Sequence, residues 1–217
     1  MKSPPKQNPY QESFSRALEV VRGRQSADLE ALGAVQTAAG QWGLPVLDGV
    51  FLIDLGEETV RHRSAQGAGA AAAEVRTKWQ ILALHYLSAP GPRQDPAAAR
   101  ADPAWGTFAD LPHGRGYDPV HRGRVLGRLC ATAGRDRATF VEACRRLGAE
   151  EVDLGEAGFR FRVFPRLAVA IAWYAGDDEF SPNASFLYPE NVLSFLPVED
   201  AVVLAECVIS RLQGKPW

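Results

Sequence analysis

The sequence predicts an α+β fold, a single domain in which helices pack on an antiparallel sheet. Three observations predict it. Apolar residues recur at helical spacing on either side of a β-rich pair at 50–62, and again near the C-terminus. The C-terminal third changes to strict alternation at Phe159-Arg160-Phe161-Arg162-Val163, followed by a continuous apolar run over 167–175 and a short one over 184–188. A chain of 217 residues, 46% hydrophobic and 23% charged, is long enough to bury one sizeable core.

The elements follow in order. Residues 1–9 are polar and proline-rich and read as a disordered tail, with the domain spanning 10–217. Phe14, Leu18 and Val21 lie at i, i+4, i+7 and predict a first helix. Ser26 is the predicted cap of a second helix carrying Leu29, Leu32 and Val35 and ending near Gly40. Residues 50–55 are β-rich, Gly56-Glu57-Glu58 is a turn, and residues 59–62 return as the partner strand. The low-complexity tract 67–73 reads as a loop leading into a helix over 74–87, with Val75, Trp79, Leu82 and Tyr86 on one face. Prolines at 90, 92, 96 and 103 predict a long flexible connection at about 88–104.

Residues 105–117 read as irregular, and a basic helix is expected over 121–130. Asp136 caps a helix showing Phe140, Cys144 and Leu147 that ends at Gly148. The three strands of the C-terminal third form an antiparallel meander, with the 50–62 hairpin joining or flanking it. Strict alternation places Phe159, Phe161 and Val163 inward and Arg160 and Arg162 outward. The last helix begins at Pro197 and buries Ala201, Leu204, Ala205, Val208 and Leu212.

Composition excludes several functions. The net charge is −2, so no global basic field recruits nucleic acid. Twenty of the 24 basic residues are Arg, beside many Ala, which reflects a GC-rich genome rather than Arg-specific recognition. Cys130, Cys144 and Cys207 are scattered and form no C-x-x-C pair. They read as reduced thiols of a cytoplasmic protein and cannot supply a four-thiolate zinc or iron–sulfur site. Neither an apolar leader near the start nor a run of about 18 apolar residues is visible, so no membrane association is expected.

The densest charge set against core-like sequence is Gly176-Asp177-Asp178-Glu179-Phe180. Asp177, Asp178 and Glu179 offer oxygen ligands for Mg²⁺ or Ca²⁺, with Glu199 or Asp200 completing the shell, but the EF-hand spacing is absent. The competing reading is a turn whose carboxylates accept backbone amides, with Arg160, Arg162 and Arg166 as ion-pair partners. Glu199 and Asp200 otherwise fit the first turn of the last helix, complementing its dipole. His85 is either a ligand to a metal or tetrapyrrole or a half-buried packing histidine bonded to a carbonyl. His113 and His121 match no zinc motif. The Gly114–Gly127 region, with Arg115, Arg122, Arg124 and Arg128 beside Tyr117, is a candidate anion site, though it is not a P-loop; Arg124 and Arg128 fit a solvated helix face equally well. No nucleophile elbow is present, and no Ser/His/Asp triad is assigned.

Several short motifs carry a resemblance by their order. They are Leu84-His85-Tyr86-Leu87, then Phe108-x-x-Leu111-Pro112-x-Gly114-x-x-Tyr117, then Phe164-Pro165-Arg166-Leu167. Trp173-x-x-Gly176-Asp177-Asp178-Glu179-Phe180, Phe186-Leu187-Tyr188 and Leu196-x-x-Glu199-Asp200 follow. This order resembles the bacterial and archaeal domain-of-unknown-function family 3786, over most of the chain after about Tyr10. Some relatives look fused to cysteine-rich iron–sulfur segments, which this chain lacks, so no electron-transfer role carries over. Position 109 is Ala where relatives often look basic. The resemblance implies a fold and a prokaryotic setting, and no reaction.

The functional expectation is a cytoplasmic, non-catalytic module binding a small ligand or a protein partner, with no cofactor and no metal. Its surface is expected between the acidic loop and residues 105–117, where polar groups lie beside aromatics. The alternatives are an enzyme using Asp177, Asp178 and Glu179 with or without a divalent metal, and a corrinoid- or haem-associated protein with His85 or His113 as axial ligand.

Overall fold

The structure is a computed structural model that describes residues 9–64, 72–90 and 104–217. The predicted tail, most of the 67–73 tract and most of the 88–104 connection lie outside the described residues. Helix α1 (Pro9–Arg22) buries Ala17, Leu18 and Val21 as the spacing requires. Helix α2 (Ser26–Ala31) is shorter than predicted, and its cap is Gln25 rather than Ser26. Gly33 stops it. Its φ of +88° suits glycine, and a Cβ there would lie 2.4 Å from the Pro165 side chain. Val35 therefore leaves the helix and enters a strand, 64% exposed.

The N-terminal half builds a sheet of its own. Strands β1 (Val35–Gln36), β2 (Trp42–Val46), β3 (Gly49–Asp54), β4 (Thr59–Ser64) and β5 (Ala73–Glu74) pair antiparallel in chain order. The predicted hairpin is β3–β4, with Ile53 opposite Val60. Asp54 closes its turn by accepting the amides of Gly56 and Glu57 at 3.0 and 2.9 Å. The flanking strand β2 is not legible in the sequence, because Gly43 and Pro45 mask its pattern. The hairpin thus flanks the C-terminal meander from a separate sheet.

Helix α3 (Thr77–Ser88) follows; the predicted helix start at Glu74 belongs instead to β5. Strand β6 (Trp105–Gly106) leads into a 3₁₀ turn over Phe108–Asp110. Thr107 and Asp110 cap that turn reciprocally. The basic helix starts earlier than predicted, as α4 (Gly114–Arg122), passes through a π turn at Gly123–Gly127 and ends as the short α5 (Arg128–Cys130). His113 precedes it with φ +61°, and a Cβ on Gly114 would sit 1.9 Å from the Phe108 carbonyl oxygen. That contact explains the glycine.

Helix α6 (Arg137–Arg146) has the predicted Asp136 cap, which accepts the Thr139 amide at 2.8 Å, and Gly148 ends it at φ +68°. The second sheet orders β6, β10 (Asn183–Pro189), β9 (Leu167–Tyr174), β8 (Ala157–Phe164) and β7 (Glu150–Val152), all antiparallel. The predicted register is observed: Phe159, Phe161 and Val163 are buried, Arg160 is half-buried and Arg162 exposed. Helix α7 (Val198–Leu212) closes the fold with Pro197 at its cap and all five predicted apolar positions buried.

One contiguous core joins both sheets to α1, α3 and α7. Trp79 of α3 meets Phe51 of the first sheet edge-on at 6.1 Å, while Tyr86 stacks on Phe164 of the second at 4.5 Å. The Tyr86 hydroxyl donates to the Leu32 carbonyl at 2.7 Å and accepts the Arg166 amide at 3.1 Å. Two of the family-like motifs thus meet at one phenol. The sheets touch where the Leu47 amide donates to the Val163 carbonyl at 3.2 Å.

Candidate functional site

Helix α3 is apolar on almost every side, so its polar residues require polar partners. Lys78 and His85 are two turns apart, on one stripe about 10 Å long. Helix α7 lies against that stripe and places Cys207 and Glu206 near Lys78 and Asp200 near His85. Helix α1 adds Tyr10 and Ser13.

At the Lys78 end the seam opens into a cavity of about 440 Å³. Its charged lining is Arg76, Lys78, Arg128 and Lys215 against one acid, Glu206. Trp79, Tyr10 and Pro216 supply apolar wall. Lys78 Nζ donates to Glu206 Oε2 at 2.7 Å, and this hydrogen bond holds its pKa above the ordinary lysine value. Arg124 lies 3.7 Å from the other Glu206 oxygen. The one carboxylate in the wall is therefore already claimed by two cations.

Arg128 bridges α5 to α7. Its Nη2 donates to the Glu206 carbonyl at 2.5 Å and to Ser210 Oγ at 3.1 Å. Its Nε is buried without a hydrogen-bond partner among the described residues. In the cavity wall, burial pushes the Cys207 thiol up to about 12, with Lys78, Arg128 and Arg76 pulling it down and Glu206 pushing it further up.

At the other end of the stripe, His85 Nδ1 lies 2.5 Å from Asp200 Oδ2, and His85 Nε2 lies 3.5 Å from Ser13 Oγ. Asp200 is 8% exposed. His85 bonds a carboxylate rather than the expected carbonyl, and Asp200, in the first turn of α7 as expected, is also buried as its partner.

A third polar cluster surrounds His121, which is 2% exposed. Phe108 stacks on its ring at 4.7 Å. Tyr188 donates its hydroxyl proton to the Ala201 carbonyl at 3.0 Å, so its oxygen accepts His121 Nε2–H at 3.0 Å. Nδ1 is left unpartnered among the described residues, and burial lowers the ring's pKa. A small cavity of about 40 Å³ adjoins this ring, lined also by Asp118 and by Asn183 and Ser185.

Of the sequence-predicted candidates, His85, Asp200 and Arg128 lie on the seam, whereas the acidic loop does not line the cavity. Asp177 Oδ1 accepts the amides of Glu179 and Phe180 at 2.9 and 2.7 Å, which holds its carboxyl below the ordinary value. The acidic loop is thus an exposed turn, tied by Asp177, with Asp178, Glu179 and Phe180 facing solvent. Gly176 is required there, since a Cβ would lie 2.4 Å from the Phe180 carbonyl oxygen. The expected arginine partners are engaged away from the loop: Arg160 with Glu150, Arg162 with the Pro165 carbonyl, and Arg166 with the Ala31 carbonyl.

His113 and Arg115 border a shallow depression with residues 109–111, and the Tyr117 hydroxyl accepts from Arg124 at 2.9 Å. His85 sits on the α3 stripe, apart from that depression. Among the described residues, no group of three or more His, Cys, Asp or Glu could hold a metal ion, and no helix is long and apolar enough to cross a membrane.

Sequence analysis names Arg128 alone among the cavity's cations, because they come from three separate segments. A further available signal was Lys78 and His85, two polar residues at i, i+7 in a helix rich in buried apolar residues.

The chain matches no curated protein and no solved structure. A family model does match, over residues 26–211, and its span takes in the motifs from Leu84 to Asp200 and most of the seam. The chain belongs to the family described as Domain of unknown function (DUF3786).

Proposed function

We propose that this chain is a cytoplasmic module that binds a small anionic molecule in the cavity between α3, α5 and α7. The observation that carries the reading is the lining itself: four cations face about 440 Å³, and the one acid among them is already paired. Ligand sites of about 300–1,000 Å³ with apolar walls and a few convergent polar groups are the common form. A guanidinium and an ammonium beside an indole suit a carboxylate or phosphate attached to a flat or apolar body. Arg76 and Lys215 are the exposed cations of the wall, and a hydrogen bond to a charged group contributes about 1.5–3 kcal/mol.

Thermal melts against a panel of phosphate monoesters and carboxylates at fixed ionic strength test this. A ligand at about 100 times its Kd adds roughly 2.7 kcal/mol of stability. For a chain of this size that raises Tm by about 5–10 °C. Arg76 and Lys215 are exposed at the cavity, so Arg76→Gln and Lys215→Gln remove charge with little effect on folding. Stabilisation that weakens in both variants supports the reading. Stabilisation of equal size in the variants counts against it.

A further inference from the structure

We propose that Ser13, His85 and Asp200 form a nucleophilic relay that acylates Ser13 from a small carboxylic ester or thioester. This goes beyond anion binding and stands without it. The argument begins with proton placement. An ionised carboxylate only accepts, so the 2.5 Å contact to Asp200 Oδ2 places the proton on His85 Nδ1. In the neutral imidazole the lone pair is then on Nε2, the nitrogen 3.5 Å from Ser13 Oγ. Nucleophile, base and orienting acid thus stand in the order that activates a serine, and such contacts are often longer before substrate binds.

Accessibility follows the same order. Asp200 is buried, His85 keeps 25% of its side-chain surface, and Ser13 is half-buried. The acid is shielded from water, and the serine keeps partial exposure to solvent. The three residues come from three helices, α1, α3 and α7, so their meeting is a product of tertiary packing. Ser13 precedes the family-matched region, whereas His85 and Asp200 lie within it.

The step balances without a further reagent. Ser13 Oγ attacks the carbonyl carbon as its proton passes to His85 Nε2. The carbon–oxygen or carbon–sulfur bond of the leaving group breaks, and His85 returns the proton to the departing alkoxide or thiolate. Water then attacks the acyl-serine carbonyl as His85 takes its proton; the acyl–Oγ bond breaks and His85 returns the proton to Ser13 Oγ, giving the carboxylic acid and free Ser13. Ser13 is the nucleophile, His85 the base and Asp200 a positioning residue.

A fluorophosphonate probe on the full chain tests this, with the labelled peptide identified by mass spectrometry. The Ser13 oxygen–phosphorus bond forms as fluoride leaves. Expected are labelling on Ser13, none in Ser13→Ala, at least 100-fold slower labelling in His85→Gln and at least 10-fold slower labelling in Asp200→Asn. Ser15→Ala, an exposed neighbour on α1, should label like the parent chain. If either relay variant fails to fold, Ser13→Cys decides: the thiol it introduces should react with iodoacetamide at least 10-fold faster than a free-thiol peptide. A Ser13 that stays unlabelled, or labels at an unchanged rate in folded His85→Gln, overturns the proposal. So does a Ser13→Cys variant whose new thiol reacts no faster than the peptide.

Discussion

Replacing Tyr86 by Phe removes one oxygen from the centre of the fold and leaves the packing intact. The ring would keep its stacks on Phe164 at 4.5 Å and Phe195 at 5.7 Å. The Leu32 carbonyl would lose its donor and the Arg166 amide its acceptor. Each orphaned buried group costs about 1–3 kcal/mol, partly offset because the phenol itself no longer needs desolvating. The net expectation is a loss of about 2–3 kcal/mol. At roughly 2–4 °C per kcal/mol for a chain of this length, Tm should fall by about 4–12 °C. Urea unfolding should show a lower midpoint at unchanged m, the mark of lost stability without a changed denatured state. A loss under about 0.5 kcal/mol, below the range for an orphaned buried group, would refute the reasoning. It would show that the phenol does not tie α2 to the β8–β9 turn.

Three further predictions concern other parts of the molecule. Asp177→Ala should lower Tm by a few degrees while Asp178→Asn leaves it unchanged in parallel melts, because only Asp177 ties the loop amides. Asp54, Asp110, Asp136 and Asp177 are all held below the ordinary value of 3.8, chiefly by backbone amides and, for Asp110, by Thr107. Their contribution is present above that value and lost as pH falls through their lower folded values, so acid titration of stability should drop below about pH 4; a flat profile down to about pH 2 contradicts this. Burial raises the pKa of all three thiols, so Ellman's reagent at about pH 8 should modify native Cys130 slowly and reach Cys144 and Cys207 only in denaturant. Rapid modification of all three in the native state contradicts the burial.

Elements governed by local spacing were legible. Alternation fixed the faces of β8, Asp136 and Gly148 bounded α6, and Pro197 opened α7. Elements held by pairing alone were not. The two-residue strands β1, β5 and β6 have no period to read, and β2 hides behind Gly43 and Pro45. The site was less legible than the fold. Asp177, Asp178 and Glu179 drew attention because charge density is visible in one dimension, whereas burial is not. His85 and Asp200 are separated by 115 positions and meet only through the packing of α3 against α7. The cations of the cavity come from α3, α5 and the segment after α7, and no sequence spacing relates them.

The central claim, that the basic cavity holds an anion, is most directly tested at Arg128. Its side chain lines the cavity while its Nε–H is buried, and so this group acts as a reporter in a ¹⁵N–¹H spectrum of the guanidinium groups. The account predicts that sodium phosphate, added at constant ionic strength, shifts this one resonance saturably and that Arg76→Gln weakens the response. A shift that grows linearly and alike across the arginine resonances would contradict it.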